Sequence, residues 1–254
     1  MSHFSAIGFN VETVDDYNSL IEQVLQVATE YSTHENLTYL RYTDPSGAEI
    51  WLCTNNDKKE IVCATPCFTS KTTQKVGINA VTPIENGEYG DGTIHGWLNA
   101  TNYDQKDGWL DGYYPVIVDV PNYLDYQDDN KIRISYLTLF AENVDIFDDR
   151  NDFDKWQKQD GGEGELSFSS EFFGPSGMFT DDEQSEPTSI VLAGLTVLEA
   201  EKRLNTLSNN EFYWCRVSTY GGEYEAVFPL DMFDDVPKVG NIIFGHYWLT
   251  GRFE

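Results

Sequence analysis

Four histidines, four cysteines and 43 carboxylates are the material from which this sequence could build chemistry. His3, His34, His95 and His246 are scattered, so a histidine-dependent triad can be assembled in few ways. Cys63 and Cys67 form the one close cysteine pair, but no second pair or neighbouring histidine completes a zinc pattern. With Cys53 and Cys215 they read as buried strand thiols. Asp145-Ile-Phe-Asp-Asp-Arg-Asn-Asp-Phe-Asp-Lys-Trp156 has the oxygen density of a calcium loop. It lacks the turn glycine and closing glutamate of that motif, and Phe147, Phe153 and Trp156 suggest a short acidic helix instead. The phosphate loop, the dinucleotide Gly-x-Gly-x-x-Gly, the Gly-x-Ser-x-Gly elbow and the His-Glu-x-x-His helix are all missing from the sequence. Carboxylates are too numerous for any catalytic pair to be singled out, so no catalytic residue is assigned and no cofactor is expected.

A second chemistry is ring stacking. Residues 211–228 and 239–252 are dense in aromatic and β-branched side chains. Trp214, Tyr220, Tyr224, His246 and Trp248 are the candidate binding residues there. Alternation around Phe212, Trp214 and Val217 predicts a strand, and Gly221-Gly222 a tight hairpin to 223–228. Ser189–Ala200 reads as a longer strand with a bend or bulge at Gly194, and Gly240, Gly245 and Gly251 should divide the last apolar segment. Short curved strands in residues 188–254 suggest a small OB-like β-barrel. That module carries nine acids against five bases, a poor balance for holding phosphates.

Leu192 to Asn205, Phe212-Tyr-Trp214, Thr219-Tyr-Gly-Gly222, Pro237-Lys-Val-Gly-Asn241 and Gly245-His-Tyr-Trp-Leu-Thr-Gly251 together resemble the C-terminal part of a family of uncharacterised bacterial proteins. The likeness extends upstream to Phe172–Met178 and to Phe4–Phe9. It implies a bacterial cytoplasmic protein and brings no activity with it.

Net charge bounds function more tightly: 43 acids against 16 bases leave −27, with a pI near 4.2. Such a field repels nucleic acid and anionic membranes and attracts basic proteins. No apolar run reaches the length of a membrane span, and the N-terminus shows no basic-then-apolar leader. The expectation is a cytoplasmic chain that makes no membrane contact.

In the N-terminal part, Phe4–Val11 reads as a strand and 14–31 as an amphipathic helix capped by Thr13. Residues 37–43, 48–54 and 60–65 read as strands, with Asp44-Pro-Ser-Gly47 as a turn. Further strands are expected at 92–98, 113–120 and 131–141. The predicted class is α+β: an N-terminal antiparallel sheet with a covering helix, then the OB-like barrel. The expected division is an acidic domain over 1–158 (two β-rich units, 1–75 and 76–158), an acidic linker over 159–187, and the barrel over 188–254.

The N-terminal element order, with Gly47-Ala-Glu-Ile-Trp51 after the turn, resembles the vicinal-oxygen-chelate modules of glyoxalases and dioxygenases. That resemblance implies a divalent metal held by His3, Glu49 and His95. Read from the residues themselves, Glu49 is a strand residue and His3 a terminal one, and no metal is expected. The leading expectation is a non-enzymatic protein, immunity- or inhibitor-like, that docks a basic protein partner on its acidic surface. The alternatives are a metal-dependent chelate-type enzyme and an OB-type ligand or oligonucleotide binder. Oligomeric state is not encoded in any motif.

Overall fold

Thr13 opens the first helix with reciprocal bonds. Its hydroxyl accepts from the Asp16 amide at 3.2 Å, and the Asp16 carboxylate accepts from the Thr13 amide at 2.9 Å. The helix α1 (Val14–Leu25) ends earlier than the apolar spacing predicts. Thr29-Glu-Tyr-Ser-Thr33 is rich in β-formers and becomes β1 (Thr29–Thr33), so Tyr31 packs on Trp51, ring centroids 4.6 Å apart, rather than on a helix face. The expected strand at Phe4–Val11 is also corrected. His3–Ile7 forms a 3-10 turn that buries Ala6 and Ile7, and Gly8 follows at φ 83°.

The computed structural model describes residues 3–84, 90–127, 131–160, 167–175 and 188–254. It is mostly β, with two short α-helices and a large mixed sheet. β1, β2 (Leu37–Thr43), β3 (Ala48–Asn55) and β4 (Glu60–Phe68) make a four-stranded antiparallel meander. Both faces of β3 are buried. Ile50 and Leu52 join Leu20, Val24, Phe212 and Trp214, while Trp51 and Cys53 join Leu37 and Tyr39.

The turn between β2 and β3 is held by Asp44. Its carboxylate accepts from Tyr42 Oη (2.8 Å), Ser46 N (2.9 Å) and Thr206 N (3.0 Å). Burial alone would push the Asp44 carboxyl up, but hydrogen bonds from Ser46 and Thr206 outweigh it and hold the pKa below the ordinary 3.8. A depressed carboxylate contributes stability that is present above its unfolded pKa and lost as pH falls through its folded one. The advantage of the wild type over Asp44→Asn, about 1–3 kcal/mol near neutrality, should therefore shrink in urea titrations run below pH 3.8. A gap unchanged from pH 7 to pH 3 would contradict this.

The remaining strands are β5 (Gln74–Pro83), β6 (Gly92–Leu98), β7 (Thr101–Asp104), β8 (Gly108–Asp111), β9 (Tyr114–Val120) and β10 (Ile132–Phe147), then β11 (Phe173–Pro175), β12 (Ile190–Asn205), β13 (Asn210–Thr219), β14 (Gly222–Pro229) and β15 (Ile242–Phe253). β7 and β8 pair as a small separate hairpin, and the others form one sheet. Within it, β12–β13–β14–β10–β15 closes on itself. β10 runs parallel to β14 and antiparallel to β15, and β15 pairs again with β12. The strand that completes this ring thus comes from residues 132–147, upstream of the predicted 188–254 module. The 16-residue β12 pairs with β15 through its first half and with β13 through its second, and β11 also lies along its start. Register shifts at Val197/Glu199 and Ala141/Asn143 mark where the long strands turn. Leu137, Leu139, Val197, Cys215, Tyr224, Ala226, Tyr247 and Leu249 alternate inward and pack in one core.

Two glycine expectations change. β15 is continuous, with Gly245 at φ 153° opposite Val144 just beyond the bulge, where the Asn143 oxygen would lie 2.2 Å from an added Cβ. Gly194 is a place of close approach rather than a bend or bulge: the β12–β15 register runs unbroken through it, and its Cβ would meet the Ser170 oxygen at 2.7 Å. α2 (Arg150–Asp160) is the expected acidic helix, with the Asp149 carboxylate accepting from the Asp152 amide at 2.9 Å. The apolar stretch before β12 docks as β11 on β12. Residues 161–166 and 176–187 of the predicted linker lie outside the described residues.

Candidate functional site

Leu37 pairs with Asn55, so the β1–β2 turn and the β3–β4 turn emerge side by side. Asn56 clamps them together. Its amide donates to the Asn36 oxygen (2.9 Å), and its Nδ2 donates to the oxygens of His34 (2.9 Å) and Glu35 (3.3 Å). The Asn55 side chain accepts from the amides of Asp57 and Lys58, an Asx-type turn that leaves Lys59 at φ 55°. Two short turns are thereby fixed by their own polar side chains.

A 3-10 turn, Tyr123–Tyr126, forms the opposite wall. Asp125 is its anchor: its carboxylate accepts from Asn122 Nδ2 (2.6 Å) and Ser32 Oγ (3.0 Å) and pairs with His34 Nε2 (2.7 Å). Between the walls runs a groove of about 880 Å³. Leu37, Ile61, Val62, Tyr123 and Leu124 give it an apolar lining, and Glu35, Asp57, Glu60, Lys58 and His34 a polar one. Three carboxylates thus face one lysine, and Lys58 Nζ lies 3.7 Å from Glu60 Oε1. Asp125 orients the His34 ring through Nε2, leaving Nδ1 for another partner. Chemically, the arrangement suits a cationic head on an aliphatic stem.

The residues singled out in the sequence lie elsewhere. His3 stacks on Trp248 at 4.4 Å and pairs with Glu142 at 3.0 Å. Glu49 is buried and accepts from Thr69 Oγ1 (2.6 Å), Thr43 Oγ1 (3.1 Å) and Trp51 Nε1 (3.1 Å). His95 lies beside Thr82 at 3.3 Å. The three have separate partners, and among the described residues no three His, Cys, Asp or Glu side chains gather as a metal site. Trp214 is buried, donating to Glu225 Oε2 at 2.6 Å under the Arg203 guanidinium. Tyr224 is buried inside the ring against Tyr114, and burial pushes its hydroxyl pKa up. Trp248 donates to Asp119 Oδ2 at 2.7 Å. Tyr220 and His246 are exposed.

The sequence reading did not single out His34, Glu35, Asp57, Glu60 or Asp125 as site residues. The available signal was the pair of polar turns, 34–36 and 55–59, bracketing the strands expected at 37–43 and 48–54. No helix among the described residues is long and apolar enough to cross a membrane. Comparison with protein-family models, with curated proteins and with solved structures returned no match.

Proposed function

We propose that the chain is a non-enzymatic binding protein that docks a basic protein partner, with the groove beside Asp125 receiving an arginine or lysine side chain. The observation that carries this reading is the groove itself: Glu35, Asp57 and Glu60 around an apolar lining, in a chain of net charge −27. The overall field would speed encounter, and the groove would select a cation with an apolar stem. An inhibitor- or immunity-like role in the bacterial cytoplasm fits this chemistry.

The strand order of the closed ring supports an OB-like reading in which β10 supplies the strand parallel to β14. An oligonucleotide site on it would draw on Arg216, Lys238 and Arg252. Arg216 is engaged by Glu223 at 2.7 Å and Glu199 at 3.4 Å, and Arg252 lies 3.7 Å from Glu49. Engaged cations favour the protein-binding reading.

The test is titration of a fluorescent arginine-rich peptide with the full chain at low and physiological salt. Affinity should fall steeply with salt. Glu35→Gln/Asp57→Asn/Glu60→Gln should weaken binding about tenfold at low salt, the sum of several partly exposed charge contacts. Neutralising Asp145, Asp148 and Asp152 at the β10–α2 corner, outside the groove lining, provides the control. Equal losses from both triple variants would remove the groove from the proposal, and salt-insensitive binding would remove the electrostatic mechanism.

A further inference from the structure

Cys53 on β3 and Cys63 on β4 stand directly opposite each other in the antiparallel ladder. The sequence spacing pairs Cys63 with Cys67, but in the fold Cys67 opposes Glu49 instead. Directly opposed residues share a face and have Cα atoms about 4.5–5.5 Å apart, inside the roughly 4.4–6.8 Å window of a disulfide. The register shifts immediately beyond Cys53, where Thr54 pairs with Ile61, so Val62 is an extra residue and the ladder is already interrupted there.

The two thiols differ in their surroundings. Cys53 is buried under the Gly90 backbone, where an added Cβ would lie 2.2 Å from its Sγ, whereas Cys63 is half-buried. A hydrogen bond between the thiols raises the pKa of Cys53 and lowers that of Cys63, and the Gly90 backbone and Thr65 also favour the Cys63 thiolate. Cys67 and Cys215 are fully buried, and burial pushes both of their thiols up. One thiol of the pair is therefore the better nucleophile, and the other sits where it can resolve a first adduct.

We propose that Cys53 and Cys63 form a dithiol site for low-molecular-weight disulfides, with Cys63 attacking and Cys53 resolving to close a β3–β4 cross-strand disulfide. In the first step the Cys63 thiolate attacks one sulfur of the small disulfide. The S–S bond breaks, and one small thiolate leaves and takes up a proton. In the second, Cys53 gives up its proton and its sulfur attacks Cys63 Sγ, expelling the second small thiolate. Two protein thiols are oxidised by two electrons and one small disulfide is reduced to two thiols. This chemistry needs no partner protein, although Leu37, Val62 and Leu124 of the groove lining pack in the same cluster as the two cysteines.

The probe is oxidised glutathione, added to the intact native protein and followed by acid quench, alkylation of remaining thiols, intact mass and peptide mapping. Wild type should lose two alkylatable thiols, show a Cys53–Cys63 cross-linked peptide and retain no glutathione. Cys53→Ser should trap one glutathione on Cys63, and Cys63→Ser should react about tenfold more slowly or less, having lost the attacking thiolate. Four alkylatable thiols in treated wild type would overturn the proposal. So would glutathione persisting on Cys63, or a cross-link that involves Cys67 or Cys215. The wild-type map decides the matter alone if either variant fails to fold.

Discussion

Glu225→Ala is expected to lower stability by about 3–5 kcal/mol, the summed cost of leaving three donors without their acceptor. The carboxylate is 2 % exposed. It accepts from the Lys71 amide (2.5 Å), the Thr72 amide (3.3 Å) and Trp214 Nε1 (2.6 Å). Two of those donors belong to the chain leaving the four-stranded sheet, and the third belongs to the ring. Glu225 thus ties the two sheets together, and its loss strands three donors, the Trp214 indole among them in a buried site. For a chain of this size the melting midpoint should drop roughly 6–20 °C, at about 2–4 °C per kcal/mol. Trp214→Phe removes one donor and should cost less, about 1.5–3 kcal/mol. Differential scanning calorimetry of both variants separates the cases. If they melt alike, the carboxylate is not the tie.

The ring aromatics show how far the sequence could be read. Trp214, Tyr224 and Trp248 declare themselves as strand residues through alternation, and 210–219 and 222–229 do pair across Gly221 and Gly222. Which face of each strand meets solvent is decided by what lies over it. Tyr224 points into the ring, while Trp214 points outward and is covered by Arg203 and the N-terminal elements. Alternation specifies two faces and cannot name the covered one.

Strands 37–43 and 48–55 were legible for a local reason, since Asp44-Pro-Ser-Gly47 encodes its own turn. Ring closure by β10 was not. Its neighbours β14 and β15 lie some 85–120 positions downstream, and nothing in Lys131–Phe147 announces them. β5 alternates Val76, Ile78 and Ala80, but Gly77 and Pro83 interrupt its strand signal, and the exposed β7–β8 hairpin lacks apolar alternation. The groove fails for the same reason as the ring, because His34 and Asp125 meet across 91 positions. Charge, by contrast, needs no pairing to be read, and the acidic field was visible in the composition alone.

Arg252→Met should cost about 3–5 kcal/mol, because it leaves the Glu49 carboxylate buried without its cation. Glu49 is 1 % exposed, and the Arg252 guanidinium nitrogen Nε lies 3.7 Å from its Oε2, with the guanidinium also over the Tyr136 ring at 5.7 Å. The three neutral donors, Thr43, Thr69 and Trp51, hold the carboxylate in place but carry no compensating charge. Removing the charge at the other end tests this directly. In Arg252→Met/Glu49→Gln the buried site is neutral on both sides, and the hydroxyl and indole donors keep an oxygen to bond. The double variant should therefore be more stable than Arg252→Met alone, with a coupling of about 1–3 kcal/mol in the cycle. Urea midpoints of the four proteins supply the measurement. Additive losses would mean that Arg252 stabilises the chain through its packing on Tyr136, and that Glu49 is satisfied by its neutral donors alone.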